Sequence, residues 1–241
     1  MSHYKKLFWI AGIGLLLNST LLADGAKSAD AILKKAYQYI GSLDTYTFNA
    51  VVLNDDIIED ASVKHYQHNV SVKVDRPDDL RIDIKGDVKD RSIYLHEGIF
   101  TIYDHNVGYY GQLKLPKKSI DSALDYIFDK YGIKAPLAAL IYSDMEKRSK
   151  FTKSVYFGTR MVSGVECDYV AFRNAQNEVH VWITRGEHPL IKSFTLINKD
   201  EKGEPKTSAN IKWDIHAKIS KDEFIFTAPK RAFPISIKSA N

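Results

Sequence analysis

The 241-residue chain holds a single cysteine, Cys167. A lone thiol closes no internal disulfide and offers no cysteine cluster for zinc, so the fold must rest on its apolar core. Cys167 alternates with Val165, Tyr169 and Ala171, which predicts a buried and inert thiol on a strand. Charge of one sign is lacking too. There are 34 Lys and Arg against 30 Asp and Glu, and two of the lysines, Lys5 and Lys6, sit at the extreme N-terminus. A balance this close gives no concentrated basic face, so no nucleic-acid partner is expected. No GxSxG elbow, GxGxxG turn, phosphate-binding loop, HExxH helix or EF-hand loop occurs. Accordingly no catalytic residue, no metal ligand and no cofactor is assigned, and the expected protein is not an enzyme.

The longest apolar run, Leu7 to Leu17, is shorter than the ~20 residues a membrane-spanning helix takes. Lys5 and Lys6 precede it, Asn18, Ser19 and Thr20 close it, and the small residue Ala23 follows. That order is the pattern of a cleaved secretory signal over residues 1–23, which directs the chain to the periplasm. No cysteine follows the run, so no acyl anchor forms there. Residues 24–241 then read as one domain, since neither a repeat nor a low-complexity linker interrupts them.

This mature segment opens on a helix. Ser28 can cap it, Ala29, Ile32, Leu33, Ala36 and Ile40 recur at helical spacing, and Gly41 can stop it. The period then drops to two. Tyr46, Phe48, Ala50 and Val52 share one face; Tyr66, His68, Val70, Val72 and Val74 share the next; Leu80, Ile82 and Ile84 follow after the turn RPDD. Further short strands, SIYLH, FTIYD and VGYYGQLKL, lead to a helical insert over about 119–148. Its first helix, Ser119 to Tyr131, shows the stripe Ile120, Ala123, Leu124, Ile127, Phe128 and Tyr131 before Gly132. A second is predicted from Pro136 to Lys147 and Arg148, presenting Leu137, Leu140, Ile141 and Met145. Strands resume over roughly 153–217, and the tail from Lys221 offers a last short one.

Each strand has one wet and one dry face, as in antiparallel sheets. Sequence neighbours joined by tight turns become sheet neighbours, and a twisted sheet of ten to eleven strands curls. The expectation is an α+β fold: a strongly curved antiparallel half-barrel with the helices covering its concave face.

Histidines and carboxylates are the remaining candidates for chemistry. His65 and His68 are three apart on a strand and point to opposite faces, so they chelate no common ion; His68 reads as a satisfied core histidine. His96 and His105 bracket a hairpin and either approach each other near Glu97 or stand exposed at turns. Asp121, Asp125 and Asp129 line the helix opposite its stripe and read as a solvated face. Tyr46, Phe48, Phe100, Trp182 and Trp213 would line a cavity or fill a core equally well.

Several stretches taken together resemble a family of predicted periplasmic proteins, a domain of unknown function with a fold like that of the LolA, LolB and LppX lipoprotein and lipid carriers. RPDDLRIDIKGD is similar to the family's arginine–proline turn and following strand, and VWITRGEHPLIKSFTLINKD to its tryptophan strand, turn and Pro-Leu strand. KKSIDSALDYIFDKYGIKAPLAALIYSD resembles the helical insert, and FIFTAPKRA the closing stretch. The resemblance implies a lid over a cavity. Burying a methylene is worth about 0.8 kcal/mol, so a chain of ~15 carbons gains on the order of 12 kcal/mol when hidden from water. The expected function is a periplasmic carrier of lipid or lipoprotein acyl chains, with an envelope or outer-membrane protein as a further partner. Its lid would be Ile120, Leu124, Ile127, Phe128, Leu137 and Ile141, facing Phe48, Val72 and Ile82, with Phe100, Trp182 and Trp213 along the cavity. The alternative is a ligand-free envelope scaffold that docks to another protein; a hydrolase is the remaining reading.

Overall fold

Alternation with period two decides most of the architecture. The computed structural model describes residues 28–58 and 62–240; the signal assigned to 1–23 lies outside the described residues. Twelve strands are described: β1 (Thr45–Ile58), β2 (Ser62–Asp75), β3 (Asp79–Gly86), β4 (Asp90–His96), β5 (Ile99–Asp104), β6 (Tyr109–Lys114), β7 (Lys153–Val162), β8 (Val165–Arg173), β9 (Asn177–Thr184), β10 (Ile191–Asn198), β11 (Lys206–Asp214) and β12 (Phe233–Ile235). They form one curved sheet in the order β12-β6-β5-β4-β3-β2-β1-β11-β10-β9-β8-β7. All neighbours are antiparallel except β12, which lies parallel to β6. The twelfth strand exceeds the ten to eleven expected. The β1–β11 pairing joins the two hairpin runs at the middle, while the edges β7 and β12 do not meet, so the sheet stays open.

Register carries the dry faces into continuous rows. Trp213, Phe48, Val72, Ile82, Ile93 and Ile102 stand opposite one another across six strands, and Phe48, Val72 and Ile82 are wholly buried. A second row runs Val170, Val181, Phe194, Ala209, Val52 and His68. It ends on Gly86, where a Cβ would lie 2.5 Å from the His68 Cβ. Only glycine permits that approach.

Helices supply the cover. In α1 (Ala29–Ser42) the Ser28 hydroxyl accepts from the Ala31 N–H, and Leu33, Ala36, Tyr37 and Ile40 are buried; the helix packs on β7, β8 and β9. In α2 (Ile120–Tyr131) Ser119 caps the start and Gly132, left-handed at φ 67°, ends it. Ile120, Ala123, Leu124 and Ile127 join the sheet residues in one core cluster.

The second predicted helix is not continuous. Pro136 to Arg148 contains a 3₁₀ turn, Ala138–Leu140, and one helical turn, α3 (Met145–Arg148). Leu137 is left-handed at φ 56° and breaks the run. Tertiary bonds outweigh helix propensity here. Asp121 accepts from the Ser143 N–H at 3.1 Å, Asp125 from Tyr142 Oη at 3.0 Å, and Arg148 donates twice to Asp125 at 2.8 and 3.0 Å. Asp121 and Asp125 are therefore anchors, and only Asp129 keeps the exposed position expected of all three.

The arginine of the RPDD turn completes this anchorage. Arg76, 11% exposed, donates to the carbonyls of Leu43 (3.0 Å) and Ile141 (2.6 Å) and to Tyr46 Oη (3.3 Å), with Asp121 at 3.8 Å. Tyr46 Oη donates in turn to the Leu140 carbonyl at 2.9 Å. Burial pushes the Tyr46 hydroxyl up to about 12 despite the neighbouring guanidinium.

A candidate ligand cleft at one end of the concave face

The apolar rows stop before the strands do. Along the inner face of β1, Tyr46, Phe48, Ala50 and Val52 give way to Asn54. On β2, Val74, Val72 and Val70 give way to His68 and Tyr66. On β4, Leu95 and Ile93 give way to Arg91, and on β11 Ala209 to Thr207. Pairing puts these changes at the same end: Asn54 stands opposite both Tyr66 and Thr207, and Arg91 opposite Ile84.

A cleft of about 610 Å³ opens there, between the sheet and the chain that leaves α2. Its floor is Val52, Ile84, Ile93 and Ile102, continuous with the core. Ile133, Ala135, Pro136 and Leu137 form the opposing wall. Asn54, His68, Lys89, Arg91, Lys134 and Thr207 complete the lining, which contains no carboxylate among the described residues. Such a volume falls in the ~300–1,000 Å³ range of small-molecule sites, which are mostly apolar with a few fixed polar groups. A groove of about 510 Å³ on the outer face is lined by Val51 together with Asn49, Asn69, Asp83, Lys85 and Lys212, so it carries a carboxylate as well as cations.

Two buried polar atoms at the cleft, Asn54 Oδ1 and His68 Nδ1, have no hydrogen-bond partner among the described residues. His68 is thus not the satisfied core histidine expected. Burial first, and the Lys89 ammonium second, hold its imidazole below the ordinary range, so it is neutral at pH 7. Buried polar groups normally find partners, and these two atoms belong to side chains that line the cleft. Arg91 Nε donates to Asp104 at 2.7 Å, so part of its charge is met. Lys89 and Lys134 pair with no carboxylate among the described residues; the Lys134 ammonium lies 5.8 Å from the Phe128 ring centroid.

Of the twelve residues expected at a lid and cavity, Leu137 lines this cleft. Phe48, Val72, Ile82, Phe100, Ile120, Leu124, Ile127 and Ile141 lie in the packed core behind it, and Trp213 packs against that core, 4.8 Å from Phe48 between ring centroids. Two positions are corrected. Phe128 is 48% exposed: it stands about 80° round the helix from Ile120, at the edge of the buried arc. Trp182 points to the outer face, because its neighbours Val181 and Ile183 take the inner one; there it stacks on Tyr169 at 4.7 Å and 3°. Asn54, Lys89, Arg91 and Lys134 were not among the residues expected from the sequence. The signal that marks the first and third is a polar residue ending an apolar alternation.

Neither of two other polar clusters makes a nucleophile. Ser92, 2% exposed, donates to Asp83 at 2.6 Å and lies 2.8 Å from His105 Nε2. In a triad the carboxylate orients the histidine; here it bonds the serine itself. Tyr169 Oη lies 2.7 Å from His180 Nδ1, whose Nε2 is 2.9 Å from Glu178, on the outer face. His96 bonds Asp79 at 2.6 Å and is not drawn to His105. Cys167 is wholly buried, which raises its thiol pKa.

The molecule is an open, curved antiparallel sheet with helices packed against its apolar inner face. An uncharacterized conserved protein from Thermus thermophilus shares the fold, at 12% identity and a TM-score of 0.50 over 86% of this chain and 98% of that one. Lower similarity extends to the lipoprotein LppX of Mycobacterium tuberculosis, at 8% identity and a TM-score of 0.45 over 80% and 98% of the two chains. A LolA superfamily protein from Nitrosomonas europaea follows at 11%, 0.35, 83% and 99%. No curated protein matches the chain in sequence. The chain belongs to the predicted periplasmic protein family DUF2092, matched over residues 29–238.

Proposed function

We propose that this protein is a periplasmic binding protein, not an enzyme, which holds a hydrophobic chain such as a lipid or lipoprotein acyl group in the cleft between β1–β5 and the segment Ile133–Leu137. The observation that carries this reading is the cleft itself: an apolar floor continuous with the core, with buried Asn54 and His68 atoms left unpartnered at its lining. The family's periplasmic description supports export, for which residues 1–23 would serve as the cleaved signal. Residues 24–241 act as one unit. In this reading α2 and the segment to Arg148 are the lid, held at its far end by Arg76, Asp121 and Asp125, so Ile133–Leu137 is the part free to yield. A ligand that entered there would displace Leu137 and its neighbours and rest on Val52, Ile84 and Ile93, in front of the core residues Phe48, Val72 and Ile82.

The test is mass spectrometry of extracted protein made in the periplasm, together with titration of a fluorescent fatty-acid probe. Lipid should copurify, and the probe should bind. Ala135→Trp, which fills the cleft from its wall, should weaken the probe by about tenfold or more, whereas Trp182→Ala on the outer face should leave it unchanged. Absence of both lipid and probe binding would remove the carrier reading. It would favour the scaffold, for which the exposed side chains of Val155, Phe157 and Met161 along β7 offer a surface.

A further inference from the structure

The cleft is amphipathic in a directed way, and its direction restricts the ligand. Inward positions on β1, β2, β4 and β11 are apolar up to the cleft and polar beyond it. The charged side chains that line it are cations: Lys89 in the β3–β4 turn, Arg91 at the start of β4, and Lys134 on the opposing wall, which also borders a neighbouring groove holding Asp55, Asp200 and Glu201. Lys89 and Arg91 are two residues apart and Lys134 comes from a distant stretch, so no single local pattern places all three together. Arg91 is already shared with Asp104, but Lys89 and Lys134 have no carboxylate partner among the described residues, and no carboxylate lines the cleft. Like charges gathered beside an apolar wall repel one another and gain from an anion between them.

We infer that the ligand is an anionic amphiphile, its acyl chain on Val52, Ile84 and Ile93 and its carboxylate or phosphate headgroup between Lys89, Arg91 and Lys134. This rests on the carrier reading and narrows it: a neutral glyceride or wax would leave the cations unmatched. Headgroup recognition by an ammonium tolerates either oxyanion, because lysine acts as a point charge without the fixed fork of arginine.

The experiment compares dodecanoate with dodecanol, which share a chain and differ in charge, by calorimetric titration of the delipidated full mature chain at low salt. Inorganic phosphate is titrated alone as the headgroup without a chain. Dodecanoate should bind about tenfold more tightly than dodecanol, and the gap should narrow to about twofold at high salt, where exposed charges are screened. In the Lys89→Gln/Lys134→Gln double variant the gap should close because dodecanoate weakens. Lys85→Gln, on the outer face, should keep it. Both lysines of the double variant are exposed, and an unchanged urea midpoint confirms that its fold is intact. Equal affinity of dodecanoate and dodecanol overturns the anionic headgroup and leaves the carrier reading standing. Binding of neither overturns both, as does binding of phosphate without either chain compound, which would mark a free-anion site.

Discussion

Replacing Arg76 with Met should separate the lid from the sheet. The side chain is nearly buried and donates to the carbonyls of Leu43 and Ile141 and to Tyr46 Oη, with Asp121 at 3.8 Å. A hydrogen bond from a charged group is worth about 1.5–3 kcal/mol, but these bonds share one side chain and do not add. Removing one member of a buried charged cluster typically costs about 3–5 kcal/mol, since its partners stay behind unpaired. That is a large fraction of the ~5–15 kcal/mol that holds a domain together. With a urea slope of about 2 kcal/mol per molar, the midpoint should fall by about 1.5–2.5 M. Tyr46→Phe removes only the hydroxyl that reaches the Leu140 carbonyl and should cost about 1 kcal/mol. Hydrogen exchange should show residues 138–148 losing protection in Arg76→Met well before the centre of β1 does. If Arg76→Met shifts the midpoint no further than Tyr46→Phe, the arginine does not hold the lid segment and the anchoring argument fails.

Two further outcomes follow from the geometry. Gly86→Ala puts a methyl 2.5 Å from the His68 Cβ and 2.7 Å from the Gln67 carbonyl oxygen, so it should destabilise by about 1–3 kcal/mol in urea melts; a neutral result would show that β2 and β3 separate there without cost. Acid should also weaken the fold. Burial disfavours the charged forms of Asp75 and Asp104. Lys221 and Thr45 outweigh this at Asp75, as do Arg91 and the Val107 and Asn106 N–H groups at Asp104, so both carboxyls sit below their ordinary 3.8. His180 chiefly, with Lys199 and Arg173, holds Glu178 below its ordinary 4.5. Folded values below unfolded ones give stability that is complete above pH 4.5 and is lost as pH falls through the folded values. Melting temperature should therefore decline from pH 4.5 downward, and in Asp104→Asn the decline should be shallower; equal slopes would refute the assignment.

Local pattern accounts for the parts of this molecule whose physics is local. Alternation in Tyr46–Val52, Val70–Val74 and Leu80–Ile84 set the strands and their buried faces, because pleat geometry sends successive side chains to opposite sides whatever lies across the sheet. The stripe and cap of α2 were readable for the same reason. The interrupted helix after Pro136 was not, since its backbone carbonyls are claimed by Arg76 and Tyr46 and its side chains by Asp121 and Asp125, all distant in sequence. Trp182 is fixed by the same local rule: with Val181 and Ile183 buried on the inner face, the pleat sends it outward.

The cleft belongs to the tertiary structure alone. Asn54, His68, Lys89, Arg91 and Lys134 lie on four separate stretches of chain, and what unites them is strand register. Register is a property of pairs: Val52 opposite His68, Asn54 opposite Thr207 and Ile84 opposite Arg91 align the ends of the apolar rows, so that several unremarkable polar residues become one cationic mouth. The sequence by itself determined which faces would be greasy and that they would need a cover. Only the paired sheet decided where that cover stops short, because the end of a row is set by its neighbours and not by its own residues.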